Sequence, residues 1–260
     1  MSSVDVDVSK VKSITLTSTT GEKFFVDSAI VTIPLGCLKR DTIRFNPPLP
    51  RRVETAISNL GYGVFEKLFI RFSEAWWLPV EETESIGLDF FRFICPLSNN
   101  NEVPDGNLNF FSLARTHEPK PIFGVFIALE LAKYLTSISK DELKSMLQTY
   151  YIPHLPNYNA KSSVCQILEV DCSTWSWDAL SGFGSFTHIP VGSETGNQDM
   201  TILSEQIIAA GDGGVWFAGE HTSNTELIDG LYYTTMATVT GAYKSGERAG
   251  NCVLHHYAQK

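Results

Sequence analysis

Apolar and polar positions alternate through the first half of the chain, and this pattern predicts a series of β-strands. The segment KSITLTS alternates, TTGE has the composition of a turn and an apolar run follows, so residues 12–33 are predicted to form a hairpin. A longer alternating segment, VFEKLFIRF, predicts a strand over 64–72. Further strands are predicted over 86–94, 107–114 and 122–129.

Helical patterns lie between these strands and at the end of the chain. A polar helix is predicted from about residue 51 to Leu60, where Gly61 ends it. Ser139 precedes Glu142 by three positions, and this capping box opens a helix that continues to about residue 151. Residues 236–260 are predicted to form one terminal helix with small residues spaced along it.

The mixture of elements predicts an α/β fold with two domains. The apolar elements at both ends of the chain are expected to meet in one discontinuous domain, formed by residues 1–46 and 211–260. Residues 47–210 hold most of the predicted strands, and we expect them to form a second domain on a mixed sheet with flanking helices.

Composition and charge exclude several classes of protein. Of the 260 residues, 43% are hydrophobic and 19% are charged, which excludes a chain that is disordered throughout. Twenty Lys and Arg against 29 Asp and Glu give a net charge of −9, which argues against nucleic-acid binding. No apolar run in the sequence is long enough to span a membrane. Five cysteines without a CxxC pair indicate neither a disulfide framework nor a zinc site, and reduced cysteines favour a cytoplasmic location.

Lys67 is the first candidate for chemistry, because it lies inside a strongly apolar strand. Alternation places Lys67 on one strand face with Phe65 and Phe69, and aliphatic residues on the other face. A lysine among phenylalanines would be desolvated, which would lower its pKa and make it a base or an anchor for a water molecule. The alternative is a strand lysine whose ammonium group reaches solvent beside Arg71.

Two further candidates lie near the C-terminus. The short apolar strand VWFAGE ends in Gly219 and Glu220, and ligands of open α/β sheets gather at such strand ends. The alternative is an ordinary exit from a strand into a loop. The terminal helix begins near Val239, where free backbone N–H groups favour an anionic or electron-rich group. In the alternative interpretation, its small residues serve only close packing.

Four motifs, taken in their order along the chain, resemble those of the FAD-dependent amine oxidases, which include polyamine oxidases, monoamine oxidases and lysine-specific histone demethylases. They are VDSAIVTIPLGCLKRDTIRFNPPLP, LGYGVFEKLFIRFSEAWW, STWSWDALSGFGSF, and VWFAGEHT together with MATVTGAYKSGERAG. Their co-linear order is far more specific than any single motif. The resemblance extends from about residue 8 to about residue 255.

This resemblance implies roles for individual residues. Lys67 matches the lysine that binds the flavin N5 through a water molecule, and Phe186 matches one wall of the aromatic cage over the flavin. Thr238 falls where monoamine oxidases have a second cage aromatic, and these three are the implied catalytic residues. The implied cofactor-binding residues are Val8, Pro34, Trp175, Gly219, Glu220 and Val239. The resemblance implies no metal site.

The resemblance also implies a reaction. An amine is oxidised by hydride transfer to FAD, and O2 accepts the electrons. The Gly-Ser-Phe turn at 184–186 contains no cysteine, so FAD is expected to be bound non-covalently. The acidic charge balance favours a small cationic substrate of the polyamine type, with no nucleic-acid or membrane partner.

The chain also departs from the family pattern. It has no GxGxxG cradle for the dinucleotide, so we expect it to be the C-terminal portion of a longer protein. Its partner would be a missing N-terminal half or a second copy of itself. The alternative is an inactive fragment or scaffold that cannot bind FAD alone. Residues 223–235 form a longer connection than the family usually has, and they are expected near the flavin.

Overall fold

A computed structural model describes residues 4–7, 14–78, 90–93, 106–116, 118–210, 213–223, 225–228 and 231–258 of the chain. Val8, one of the predicted cofactor contacts, lies outside the described residues. The chain divides into two compact units. The first unit comprises Met1–Gly63 and Asp178–Lys260, and the second unit comprises Val64–Trp177.

The described elements are sixteen strands, six α-helices and several short 3-10 turns. The strands are β1 (Val4–Asp7), β2 (Ile14–Thr17), β3 (Lys23–Val26), β4 (Ser28–Val31), β5 (Ile43–Asn46), β6 (Gly61–Tyr62), β7 (Phe65–Arg71), β8 (Phe90–Phe93), β9 (Leu108–Ser112), β10 (Ile122–Ala128), β11 (Glu169–Cys172), β12 (Thr187–His188), β13 (Gln206–Ala210), β14 (Gly213–Phe217), β15 (Thr225–Ile228) and β16 (Leu231–Thr234). The α-helices are α1 (Leu35–Leu38), α2 (Arg51–Asn59), α3 (Leu129–Ser137), α4 (Lys140–Tyr150), α5 (Gly196–Ser204) and α6 (Val239–Ala258).

The two larger sheets of the first unit each contain one parallel strand pair. Their strand orders are β3-β2-β1-β5 and β13-β14-β4, and the parallel pairs are β1 with β5 and β14 with β4. The core of this unit includes Ile14, Leu35, Val53 and Phe217. Every residue of β14 is buried, because Trp216, on the opposite face from Phe217, packs against α6.

One antiparallel sheet of five strands forms the second unit, in the order β11-β7-β10-β9-β8. An aromatic group centred on Phe72, Trp77 and Phe123 occupies its core, and the Trp77 and Phe123 ring centroids lie 3.9 Å apart. Leu135 of α3 and Leu147 of α4 are buried in the same core. Strand β7 lies between β11 and β10, so side chains on both of its neighbours can reach it.

Several sequence predictions are confirmed by this architecture. The hairpin is formed by β2 and β3, although β4 leaves it to pair with β14 in the other sheet. Helix α2 occupies the predicted segment. The Ser139 hydroxyl accepts a hydrogen bond from the Glu142 N–H at 3.2 Å, and the Glu142 carboxylate accepts one from the Ser139 N–H at 3.0 Å. The capping box is therefore present at the start of α4.

The sequence pattern did not predict three helices, namely α1, which has only four residues, and the longer α3 and α5. Helix α3 begins at Leu129, directly after β10, and Leu129 has a φ of 56°. No loop or side-chain cap separates the strand from the helix, so the strand pattern masks the boundary. Helix α5 also lacks a side-chain cap. Its buried residues pack it against α2, and that long-range contact has no local sequence signature.

The units of the structure have different boundaries from the predicted domains. The structure divides at residues 63 and 178 rather than at 46 and 210. The reason is that α2 and α5 contact one another within the core of the first unit. Residues 47–63 and 178–210 therefore belong to that unit, and the second unit is the smaller antiparallel sheet with its two helices.

Two strands lie in the connection that was expected to be longer than usual, residues 223–235. Strands β15 and β16 pair antiparallel, with Thr225 opposite Thr234. The hydroxyls of Ser223 and Thr235, which flank the two strands, lie 3.4 Å apart. The described strands of this connection therefore pair with each other, and the expected position of the connection near a flavin stays a prediction.

Candidate functional site

Lys67 lies at the middle of β7 and is half-buried between two aromatic rings. Its Nζ is 6.0 Å from the ring centroid of Phe126, which is the residue opposite Lys67 on β10. The same Nζ is 5.7 Å from the ring of Trp175. The second unit thus brings together two of the predicted site residues, Lys67 and Trp175. Contacts of an ammonium group with ring faces stabilise it by about 0.5–1 kcal/mol each where water has partial access.

Ser173 ties the segment that carries Trp175 to the backbone of Lys67. The Ser173 N–H donates to the Lys67 carbonyl at 2.8 Å, and the Ser173 Oγ accepts from the Lys67 N–H at 2.8 Å. Farther along, the Trp177 Nε1 donates to the Thr136 Oγ1 at 2.9 Å. The 3-10 turn Trp175–Trp177 is therefore anchored on both sides.

Glu66 is a residue of this site that the sequence analysis missed. It is 0% exposed, and its carboxylate accepts hydrogen bonds from Ser173, Trp175 and Ser176. A signal was present, because strict alternation along β7 places Glu66 on the buried face with Leu68. A carboxylate at an apolar strand position requires partners, and the sequence alone did not identify them.

Glu220 has a comparable place in the first unit. Its Oε1 accepts from the Thr187 N–H at 2.9 Å and from the Thr187 Oγ1 at 2.7 Å. Its Oε2 accepts from the Ala237 N–H at 2.9 Å. Thr187 follows Phe186, and Ala237 precedes Thr238, so one carboxylate joins the segments that carry these two predicted residues.

Gly219 has a backbone conformation that requires glycine. Its φ is 135°, and a Cβ placed on it would lie 2.7 Å from the His221 ring. His221 is buried, and its Nε2 has no hydrogen-bond partner among the described residues. Burial and the nearby Arg248 lower the pKa of His221 to about 4, so the ring is neutral at pH 7. His221 is thus a core histidine beneath the strand end.

Thr238 caps α6. Its Oγ1 accepts from the Gly241 N–H at 3.0 Å and donates to the Thr235 carbonyl at 2.6 Å. Val239 and Thr240 occupy the first turn of this helix, where backbone N–H groups have no acceptor within the helix. Val239 is 87% exposed. The structure therefore gives Thr238 a defined structural role and leaves the N–H groups that follow it accessible.

The loop that leads to Phe186 is held by two residues that the sequence analysis did not single out. The Tyr62 hydroxyl donates to the Ser181 carbonyl at 2.7 Å, and Arg40 donates to the Gly182 carbonyl at 2.8 Å. Burial, with a contribution from Glu220, raises the pKa of Tyr62 to about 12, which keeps the hydroxyl protonated as a donor.

Phe186 and Pro34 also lie in the first unit. Phe186 is half-buried, and its carbonyl accepts from the Gly63 N–H at 3.0 Å. The Pro34 carbonyl accepts from the N–H groups of Cys37 and Leu38 at the start of α1. The first unit therefore contains Pro34 and Phe186, together with the Gly219–Glu220 strand end and the Thr238–Val239 helix start.

Neither a metal site nor a membrane-spanning helix is found in the described part of the chain. It contains no group of three or more His, Cys, Asp or Glu residues that could hold a metal ion. Among the helices it includes, none has the length and apolarity to cross a membrane. Its four cysteines, Cys37, Cys165, Cys172 and Cys252, are free thiols.

Comparison with known families decides which class of protein this site belongs to. The profile of a family described as flavin containing amine oxidoreductase matches residues 2–254. The chain belongs to this family. The predicted flavin cofactor and the predicted partial flavin amine oxidase fold are thereby confirmed at the level of the family.

Individual relatives are longer than this chain. Lysine-specific histone demethylase 1 homolog 2 of Arabidopsis thaliana is 30% identical over 234 residues, which are 89% of this chain and 27% of that protein. Probable polyamine oxidase 5 of Arabidopsis thaliana is 28% identical over 270 aligned residues, with 91% of this chain and 47% of that protein covered. A structure of putrescine oxidase, its A394C mutant, matches with a TM-score of 0.69 at 13% identity and covers 97% of this chain and 47% of that one. This chain thus spans between a quarter and a half of the proteins it matches.

Proposed function

We propose that this chain is the C-terminal, lysine-bearing part of an FAD-dependent amine oxidase that uses O2 as electron acceptor. The observation that carries the proposal is the setting of Lys67. Its ammonium group lies between Phe126 and Trp175 at the centre of a sheet, in a chain of the flavin containing amine oxidoreductase family. A lysine held this way can bind a water molecule or a substrate proton and keep it in one place.

The residues present fit a flavin in three respects. The backbone N–H groups at the start of α6, at Val239 and Thr240, suit an electron-rich ring edge. Gly219 brings bare backbone to the end of β14. Glu220 holds the neighbouring segments through both carboxylate oxygens, and Oε2, which accepts one hydrogen bond, keeps further acceptor capacity for a hydroxyl group. We propose that these residues and Pro34 hold FAD non-covalently, and that Val8 contributes on the adenosine side.

A bound flavin supplies the acceptor for the hydride that leaves the amine carbon. The residues of the chain orient the reacting groups and exclude water from them. The Nζ atom of Lys67 keeps its proton and donates a hydrogen bond to a water molecule. Phe186 provides aromatic surface for the neutral amine, Trp175 contributes to cofactor binding, and Thr238 keeps the start of α6 in place. In the proposal the first unit serves as the cofactor domain and the second as the substrate domain.

A small polyamine is the substrate that we favour, since the net charge of −9 attracts a cationic amine. A lysine side chain of a peptide is the second candidate, because several relatives are named as lysine-specific histone demethylases. Oxidation assays with spermidine, putrescine and a methyl-lysine peptide separate the two. Turnover of the peptide alone would contradict the polyamine assignment. The free thiols are consistent with the cytoplasmic location that we also propose.

The first unit has an open sheet edge and exposed apolar side chains that another protein segment could cover. Strand β4 is at the edge of its described sheet, and α6 exposes Val239, Tyr243 and Leu254. Gly246 and Gly250 on α6 face open space. An open parallel edge beside an apolar helix face is typical of a sheet that continues in another segment. We propose that a dinucleotide-binding half covers it, with a second copy of this chain as the alternative.

The test is a visible absorption spectrum of the chain after incubation with FAD and desalting. A retained flavin band that bleaches with amine under exclusion of air supports an oxidase. Lys67→Met should slow turnover by about a hundredfold. Lys133→Met replaces an exposed lysine of the same unit and should have no effect. A colourless chain that stays inactive when combined with a dinucleotide-binding half would establish the alternative, a non-catalytic fragment or scaffold.

A further inference from the structure

We propose that Glu66 is a positioning residue that holds Trp175 against Lys67. This inference rests on the proposed function, because it assigns a role toward the site that Lys67 defines. Glu66 and Lys67 are consecutive on β7, so their side chains lie on opposite faces of the strand. The turn after β11 contacts both residues, and it carries Trp175.

The surroundings of Glu66 indicate a built site for a carboxylate. The residue is 0% exposed, and burial of an unpartnered carboxylate is strongly unfavourable. Four hydrogen bonds compensate for this. They come from the Ser173 Oγ at 2.5 Å, the Trp175 N–H at 3.3 Å, the Ser176 N–H at 2.7 Å and the Ser176 Oγ at 2.6 Å. Within the described residues, no lysine or arginine forms an ion pair with Glu66.

All four donors belong to a single turn of four residues. The carboxylate therefore fixes the shape of that turn and attaches it to β7. Ser173 completes the arrangement, because its Oγ accepts from the Lys67 N–H and donates to Glu66. Two neighbouring groups on β7 thus hold the turn, the Glu66 carboxylate and the Lys67 backbone. Together they set the distance of 5.7 Å between the Lys67 Nζ and the Trp175 ring.

An ionised carboxylate suits this site better than its amide. Both Glu66 oxygens face donors, and a carboxylate has only acceptor sites. A glutamine would turn an NH2 group toward at least one N–H or hydroxyl donor, and that part of the turn would lose its partner. Glu66→Gln keeps the size of the side chain and changes only this complementarity.

Amide hydrogen exchange of the 260-residue chain tests the inference without a cofactor. In Glu66→Gln, the amide of Trp175 or that of Ser176 should exchange at least about tenfold faster, because they donate to different oxygens and the glutamine keeps only one acceptor. The amide of Val125, in the buried centre of β10, should change much less. Ser176→Ala removes one donor and should produce a smaller effect in the same turn.

The matched control is Glu169→Gln, which makes the same chemical change at an exposed position of the same sheet. It should leave the turn amides unchanged. Unchanged turn amides in Glu66→Gln, or equal acceleration at Val125, would overturn the inference, because the residue would then contribute nothing or only to general stability.

A kinetic measurement on the enzyme reconstituted with FAD and its dinucleotide-binding half completes the test. Misplacement of Trp175 and Lys67 should lower kcat about tenfold in Glu66→Gln and leave KM within about twofold. An unchanged kcat would overturn the positioning role. If the turn amides exchange faster in Glu66→Gln but the reconstituted protein oxidises no amine, the proposed function would be overturned. Glu66 would still be the anchor of the turn.

Discussion

Glu66 and Glu220 are both carboxylates beside predicted site residues, yet their surroundings differ. Glu66 is fully buried and accepts four hydrogen bonds from one turn. Glu220 is half-buried and accepts three hydrogen bonds from two segments, at Thr187 and at Ala237, that are far apart in the sequence. The first carboxylate shapes a local turn, whereas the second joins two separate parts of its unit.

The difference shows how burial decides what a carboxylate can do. Water cannot replace the carboxylate of Glu66, so its four donors depend on it entirely. Water has access to Glu220, so the protein can lose that carboxylate at a smaller cost. We therefore expect Glu66 to govern stability and local geometry together, and Glu220 to govern mainly the mobility of the segments it joins.

The largest effect is expected for Glu66→Leu. Leucine fills much of the same volume but leaves the Trp175 and Ser176 N–H groups without an acceptor, which should lower the free energy of unfolding by about 4 kcal/mol. Urea unfolding followed by tryptophan fluorescence reports on this unit, since four of the five tryptophans lie in Val64–Trp177. The exposed Glu169→Gln should change stability by less than about 0.5 kcal/mol. Equal losses in the two variants would remove the contrast between buried and exposed carboxylates.

The second largest effect is expected in the pH dependence of the stability of the first unit. It comes from His221, which follows Glu220 directly and whose pKa is lowered by burial. Its pKa is about 4 in the folded protein, whereas a histidine in an unfolded chain has its ordinary pKa of 6.5. The unfolded chain binds the proton more readily, so stability is complete above about pH 6.5 and falls as the pH drops toward 4, by about 3 kcal/mol in total.

Urea unfolding at several pH values between 7 and 4, followed by circular dichroism, measures this loss. His221→Gln lacks the titrating group, so its stability should fall less over the same range. A pH dependence as steep in His221→Gln as in the natural chain would show that other groups are responsible. The burial of His221 would then not explain the pH dependence of stability.

The smallest effect is expected for Glu220→Gln, which keeps one acceptor oxygen. We expect a loss of about 1 kcal/mol, because water reaches the half-buried side chain. Hydrogen exchange should accelerate at the amide of Thr187 or at that of Ala237, because these amides donate to different oxygens of Glu220 and the glutamine keeps only one of them as an acceptor. Glu194→Gln, at an exposed position of the same unit, is the control. A loss as large as that of Glu66→Leu would contradict the distinction drawn between the two carboxylates.

Much of the fold could be predicted from local pattern. Alternation along β7 correctly placed Lys67 on the less buried face and Leu68 on the buried face. The capping box located the start of α4. Helix α5 was missed because it has no side-chain cap, and the domain boundaries were displaced because its contact with α2 joins residues far apart in sequence.

The sequence motifs propose residues for the candidate site and do not indicate what supports those residues in the fold. Lys67, Trp175 and Glu220 were identified through the order of the motifs. The partners of Glu66 lie more than 100 residues away, since Ser173 is 107 positions later, so no local pattern relates them. Thr238 was assigned to the cage over the flavin, and only the structure shows that its hydroxyl caps α6.

The periodicity of the strands and helices, the acidic charge, the family-specific motifs and the residues available for chemistry can all be read from the sequence of this protein. These are properties of residue type and short spacing, which neighbouring positions are enough to define. The donors that meet Glu66 and Glu220, and the two aromatic rings near Lys67, are known only from the folded structure. Those contacts join residues that are distant along the chain, and they form because burial of a carboxylate is tolerated only where the folded protein brings donors to it.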